Sequence, residues 1–213
     1  MMARVKICGL AREEDVRLAD ALGASFLGFV FAPSERRVSP EHAASISQGV
    51  RAARVAVVVD PTEDELDCIA SVFAPDYVQF HGGESPERVL RAGSRWGFGT
   101  IKAVGVGSDA DLKRAGTYAA CDLVLLDAKP DPDDPVRGGH GRTLPWELVA
   151  GKPRPKEWVL AGGLTPDNVA EAVRVTHASV VDTASGVESA PGVKEPARLR
   201  AFFHALSGEA LHA

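Results

Sequence analysis

Tyr77-Val78-Gln79-Phe80-His81-Gly82-Gly83-Glu84-Ser85-Pro86-Glu87 reads as a buried strand, a glycine loop and the first turn of a helix. Tyr77 to Phe80 is the short, largely apolar run that a parallel strand makes when both its faces are covered. Ser85 offers an oxygen to the unpaired amides of the next helix, Pro86 suits the first helical position, and Glu87 meets the positive helix end. The octet from Gly82 to Val89 has a counterpart in Gly162-Gly163-Leu164-Thr165-Pro166-Asp167-Asn168-Val169, again behind an apolar run. We read this as repeated loop chemistry between strand and helix. An octet is too short to establish a duplicated gene.

The same alternation runs along the whole chain. Apolar runs rich in β-branched residues stand at 4–8, 26–31, 55–59, 77–80, 100–104, 123–126, 158–161 and 179–181. Helical spacing fills stretches between and after them, as at 13–22, 63–73, 167–175 and 195–206. Ser39-Pro40-Glu41 and Thr165-Pro166-Asp167 repeat the helix-start signal, and Asp60-Pro61-Thr62-Glu63 predicts a capping box. Eight alternations predict an α/β fold with a parallel sheet and right-handed crossovers. A chain of 213 residues fits one (β/α)8 TIM barrel, which commonly takes roughly 200–250, so residues 1–213 are expected to form a single catalytic domain. Residues 128–142, rich in Pro, Asp and Gly, break the rhythm. Too little chain follows them for a separate domain, so they read as a functional loop at the barrel's C-terminal face. An open doubly wound sheet is the alternative, but it needs fewer strands, and often a glycine-rich first turn where Gly9 here stands alone.

Composition excludes several function classes. A net charge of −5 argues against a broad nucleic-acid footprint while leaving room for a local basic pocket. No apolar run approaches the ~20 residues that span a bilayer, and the first residues carry no apolar leader, so no membrane partner is expected. Cys8, Cys68 and Cys121 are odd in number and show no CxxC spacing, which suits a reducing cytoplasm. The six histidines form no HExxH pair, so no metal is expected, and the absence of GxxxxGK[ST] and GxGxxG disfavours a nucleotide loop.

Catalytic groups of such a barrel stand at the C-terminal ends of its strands, which selects Cys8, His81, Asp127 and Asp182, with Arg36 in the loop after the second strand. The loops after strands seven and eight read Ala161-Gly162-Gly163-Leu164 and Thr183-Ala184-Ser185-Gly186-Val187. Glycines let backbone amides approach phosphate oxygens, so both loops are candidate phosphate sites. Each side chain has a plainer reading. Cys8 has the plainer reading of a small buried hydrophobe, Asp127 and Asp182 of loop caps, and His81 reads either as a pocket wall or as a strand-end histidine supporting Cys8; strand-end position favours function for Cys8 and Asp127. Arg37 competes with Arg36, and both could simply be solvated. Cys68, Cys121 and the three tryptophans read as structural.

Lys6-Ile7-Cys8-Gly9, Gly28-Phe29-Val30-Phe31 and Val78-Gln79-Phe80-His81-Gly82 closely resemble the phosphoribosylanthranilate isomerase family of tryptophan biosynthesis. So do Leu125-Leu126-Asp127, Gly138-Gly139-His140-Gly141, the Ala161–Val169 loop and Ser185-Gly186-Val187-Glu188, in family order over nearly the whole chain. The resemblance implies a cofactor-free Amadori rearrangement of N-(5-phosphoribosyl)anthranilate to 1-(o-carboxyphenylamino)-1-deoxyribulose 5-phosphate. It makes Cys8 the base and Asp127 the acid, a chemistry that asks for some Cys8 thiolate and for a protonated Asp127 once substrate is bound. It implies substrate contacts at Arg36 (toward a carboxylate or the sugar), His81, Gly139, His140, Gly141, Gly162, Gly163, Asp182, Ser185 and Gly186. The partner implied is a phosphosugar alone, with the chain a monomer or homodimer. The sequence departs from the family at His140, where Thr or Ser is usual, at Ala184, which loses a hydroxyl, and at Arg37, where Tyr is common. Two rivals stand: the histidine-pathway isomerase with an Asp base at the first strand, which Cys8 disfavours, and a non-catalytic phosphosugar-binding module, which Cys8 and Asp127 together disfavour.

Overall fold

The computed structural model describes residues 3–129, 144–155 and 157–208. Eight parallel strands close into a barrel in sequence order. They are β1 (Arg4–Cys8), β2 (Phe26–Val30), β3 (Ala53–Val58), β4 (Tyr77–Phe80), β5 (Gly99–Val106), β6 (Leu123–Ala128), β7 (Trp158–Leu160) and β8 (Val180–Thr183). Closure comes from β1, which pairs with β2 on one side and β8 on the other, Lys6 lying opposite Phe26 and Asp182. The helices are α1 (Glu13–Ala21), α2 (Pro40–Ile46), α3 (Glu63–Cys68), α4 (Pro86–Trp96), α5 (Asp109–Gly116), α6 (Val169–Thr176) and α7 (Pro196–Ser207). Between β8 and α7, β9 (Glu188–Ala190) and β10 (Val193–Lys194) form a small antiparallel hairpin. Among the described residues no helix is long and apolar enough to cross a membrane.

The strands read as continuous apolar runs because their two faces feed two cores. Cys8, Val55, Val57, Ile101, Leu125, Val159 and Ala161 fill the barrel interior, while Ile7, Leu27, Phe80, Leu126 and Leu160 pack outward against the helices. The parity decides the site: whatever follows Leu125 or Gln79 by two positions points inward.

Helix starts bear out the signals at Ser39 and Ser85, whose hydroxyls accept from the amides of His42 and Arg88. The expected box at Asp60 is displaced by two residues. Thr62 and Glu65 form it, and Asp60 instead sits at φ 45° with its carboxylate accepting from Gly83 N. Thr165 does not cap, and α6 begins at Val169 rather than Asp167, because Asn168 Oδ1 accepts from Thr165 N while its amide donates to Gly163 O. The two similar octets therefore differ in backbone, Gly162 and Gly163 taking φ of 89° and 63° where Gly82 and Gly83 stay negative. The helix predicted through residue 73 ends its α geometry at Cys68 and continues as a π turn to Phe73.

Candidate active site

Four strand ends converge on the mouth. Cys8 closes β1, Asp127 lies near the end of β6, His81 follows β4 and Asp182 lies in β8, each with inward parity. Asp127 stands three strands from Cys8 around the barrel, and both lie at the C-terminal ends of their strands.

Lys6, two residues before Cys8 on the same inner face, was absent from the sequence candidates. Its ammonium lies 2.8 Å from Asp182 Oδ1, and only 1% of the residue is exposed. Burial works against that charge, but Asp182 and Cys8 outweigh it and hold Lys6 above the usual lysine range. Asp182 is thus the counter-ion of Lys6, rather than a loop cap. The Lys6 ammonium also acts on the Cys8 sulfur, favouring its charged form. Gly28, opposite Cys8 in register, gives both groups room: a Cβ there would stand 3.0 Å from Cys8 Sγ and 3.2 Å from Lys6 Nζ.

The surroundings work against the share of thiolate that the base role asks for. Burial pushes the Cys8 thiol above its ordinary value of 9.0, with Asp182 adding to the rise and Lys6 and Lys194 only partly reversing it. The neutral thiol is the favoured form at neutral pH.

Across the mouth, the Gln79 amide nitrogen lies 3.0 Å from His81 Nδ1. With that amide donating, the ring proton sits on Nε2, which faces Asp127 Oδ2 at 3.6 Å. Asp127 Oδ1 accepts from Ala128 N at 2.8 Å. Gly162 packs against this carboxylate so closely that a Cβ would meet Ala128 N at 2.6 Å and Asp127 Oδ1 at 3.1 Å. Beneath His81, buried Lys102 donates to Phe80 O, Gly82 O and Glu84 Oε2, which fixes the loop that presents the ring.

Arg36 points in and Arg37 is exposed, which separates the two readings of that pair. The Arg36 stem crosses Gly9, whose φ of 74° and missing Cβ make the passage possible. Its guanidinium is bidentate on Glu188, with Nε at 3.0 Å from Oε1 and Nη2 at 2.7 Å from Oε2. Burial disfavours the Glu188 charge, yet Arg36 and Lys194 keep the carboxyl below its ordinary value. Glu188 and Lys194 were also missed. Glu188 was visible as the last letter of a matched motif, whereas Lys194, alone in a hairpin, gave no signal.

The two candidate phosphate loops are stitched together. Thr183 Oγ1 donates to Leu164 O at 2.8 Å, and Gly186 lies on the same carbonyl with no room for a Cβ. Among the described residues no acceptor takes the amides of Gly163, Leu164, Ser185 or Gly186, which leaves a cluster of donors suited to an anion. Gly139, His140 and Gly141 lie outside the described residues. Among the described residues no group of three or more His, Cys, Asp or Glu is placed to hold a metal.

Residues 5–205 match the family described as N-(5'-phosphoribosyl)anthranilate (PRA) isomerase. A Cereibacter sphaeroides protein named N-(5'-phosphoribosyl)anthranilate isomerase is 46% identical over 211 residues, covering 95% of this chain and 97% of its own. A crystal structure of phosphoribosyl anthranilate isomerase in complex with reduced 1-(o-carboxyphenylamino)-1-deoxyribulose 5-phosphate superposes with TM-score 0.84 and 34% identity, over 98% of this chain and 100% of that one. Monomers generated from the dimeric Thermotoga maritima phosphoribosylanthranilate isomerase superpose with TM-score 0.85 and 36% identity, over 98% and 100% of the two chains.

Proposed function

The chain belongs to the N-(5'-phosphoribosyl)anthranilate isomerase family, and we propose that its reaction runs between Cys8 as general base and Asp127 as general acid. The enzyme converts N-(5-phosphoribosyl)anthranilate to 1-(o-carboxyphenylamino)-1-deoxyribulose 5-phosphate in tryptophan biosynthesis. The carrying observation is the shared inner-face parity of Cys8 and Asp127 at one mouth, beside a cluster of amides that have no acceptor among the described residues.

Asp127 protonates the furanose ring oxygen, the ring C–O bond breaks, and the nitrogen lone pair forms the Schiff base. Cys8 then removes the proton from the adjacent sugar carbon, giving the enolamine, which tautomerises to the ketone. Lys6 favours the thiolate that this step requires. Arg36, aligned by Glu188, offers its remaining N–H groups to the anthranilate carboxylate, and His81 lines the wall beside Asp127. The amides at Gly162, Gly163, Ser185 and Gly186 receive the phosphate; they carry this contact whether residue 184 is Ala or Ser.

We take residues 1–213 as one catalytic domain, cytoplasmic, and a monomer or a homodimer. Three free cysteines and the pairing of β1 with β8 support the first two readings. Product formation from freshly prepared phosphoribosylanthranilate tests the mechanism. Cys8→Ala and Asp127→Asn should each lower turnover at least about a hundredfold with substrate binding retained, as loss of general acid–base groups does, and chelator should change nothing. Near-normal rates in both variants defeat the assignment.

A further inference from the structure

Lys194 is the last residue of β10, and none of its side chain is exposed. Its ammonium donates to Cys8 O at 2.6 Å, to Glu188 Oε1 at 2.7 Å and to Ala184 O at 3.2 Å. The acceptors belong to three different parts of the site: the strand end that carries the thiol, the residue before the Ser185–Gly186 amides, and the carboxylate that grips Arg36. Its backbone is anchored too, Lys194 N donating to buried Asp15 at 3.0 Å. A buried ammonium is costly unless fully partnered, and a carbon stem capped by an amide or methyl could not satisfy three acceptors at once. If stability were the only gain, an apolar side chain with a neutral residue at 188 would serve as well.

We infer that Lys194 is a positioning residue for the isomerisation, one buried ammonium that sets the base, the phosphate loop and the carboxylate ligand in a single relative geometry. The inference rests on the site reading above. Lys194 also contributes field at the thiol, which is faced by Lys6 from β1, Asp182 from β8 and Arg36 from the loop after β2.

The test uses Lys194→Met in the full chain, with Cys68 changed to Ser and Cys121 to Ala so that alkylation reports on Cys8. Displacing the reacting groups by about an ångström costs on the order of a hundredfold, so kcat should fall about 10- to 100-fold. KM should rise about tenfold as Arg36 loosens, the equivalent of one charge-assisted hydrogen bond. The pH dependence of Cys8 alkylation should move to higher pH, which a purely structural lysine would not cause. Wild-type kcat, KM and alkylation profile in a folded Lys194→Met overturn the inference. Where that variant does not fold, Lys194→Arg and Glu188→Gln decide: charge without the three-way fit should still lower kcat, and the carboxamide should raise KM. Wild-type constants in both overturn it equally. Full turnover by Cys8→Ala would instead strike the site reading itself, so the two failures are distinguishable.

Discussion

Lys6→Met removes the ammonium from a 2.8 Å ion pair whose lysine is 1% and whose aspartate side chain is 12% exposed. Breaking a buried pair by deleting one partner costs about 3–5 kcal/mol, because the other charge stays buried and unpaired. The residual exposure of Asp182 puts the loss at the low end, about 3 kcal/mol. With a urea slope of about 2–3 kcal/mol per molar, the midpoint should drop about 1–1.5 M. Total stabilities of about 5–15 kcal/mol leave the variant folded. A contacting charge is worth up to about 4 kcal/mol at an effective dielectric of about 20, and relaxation takes part of it, so turnover should fall about 10- to 100-fold. Adding Asp182→Leu should restore stability to within about 1 kcal/mol of wild type, since an apolar pair replaces an ionic one. It should not restore turnover. Equilibrium urea unfolding and steady-state turnover of both variants check this. A double variant as unstable as Lys6→Met, or one that regains full activity, refutes the reasoning.

Because the thiol is raised above 9.0, the unfolded chain loses its proton first as pH rises, so folding stability should decline above pH 9. Over the same range kcat/KM should climb, as the thiolate forms; a flat alkaline profile counts against a thiolate base. Glu188 is held below its ordinary 4.5, so its contribution is complete above that pH and lost on acidification through the lower folded value. Urea midpoints below pH 4.5 should therefore fall more steeply for wild type than for Glu188→Gln. Gly162→Ala adds a side chain at φ 89° that meets Ala128 N at 2.6 Å. Left-handed backbone and overpacking together should cost about 2–4 kcal/mol and pull Asp127 out of place, read as a Tm drop with kcat falling more than KM rises. Ser85→Ala should cost only about 1 kcal/mol and leave turnover intact, since its hydroxyl serves a helix end alone.

The eight strands were legible because a strand buried on both faces is spelled almost wholly in apolar letters. Their ends were less so. β6 runs on to Ala128 past the apolar run because Asp127, although polar, still occupies a ladder position beside Gly105. Cys8 and Asp127 could be found from strand-end position. Lys6 stood in plain view in a matched motif, but its meaning depends on a partner 176 positions away, which no local pattern encodes. The same holds for Arg36 and Glu188, separated by 152. Thr165 misled because Thr-Pro-Asp is a sound helix-start signal until Asn168 bonds back to it and makes a separate turn.

The bond between Lys194 and the Cys8 carbonyl spans 186 residues. At about 5–20 residues per second, a ribosome that has made Cys8 needs on the order of 10–40 s more to make its clasp. For most of that interval the nascent thiol has neither Asp182 to neutralise its neighbouring ammonium nor the hairpin to close over its strand. Partial chains released early carry the Cys8 sulfur without the burial that holds its proton in the closed barrel.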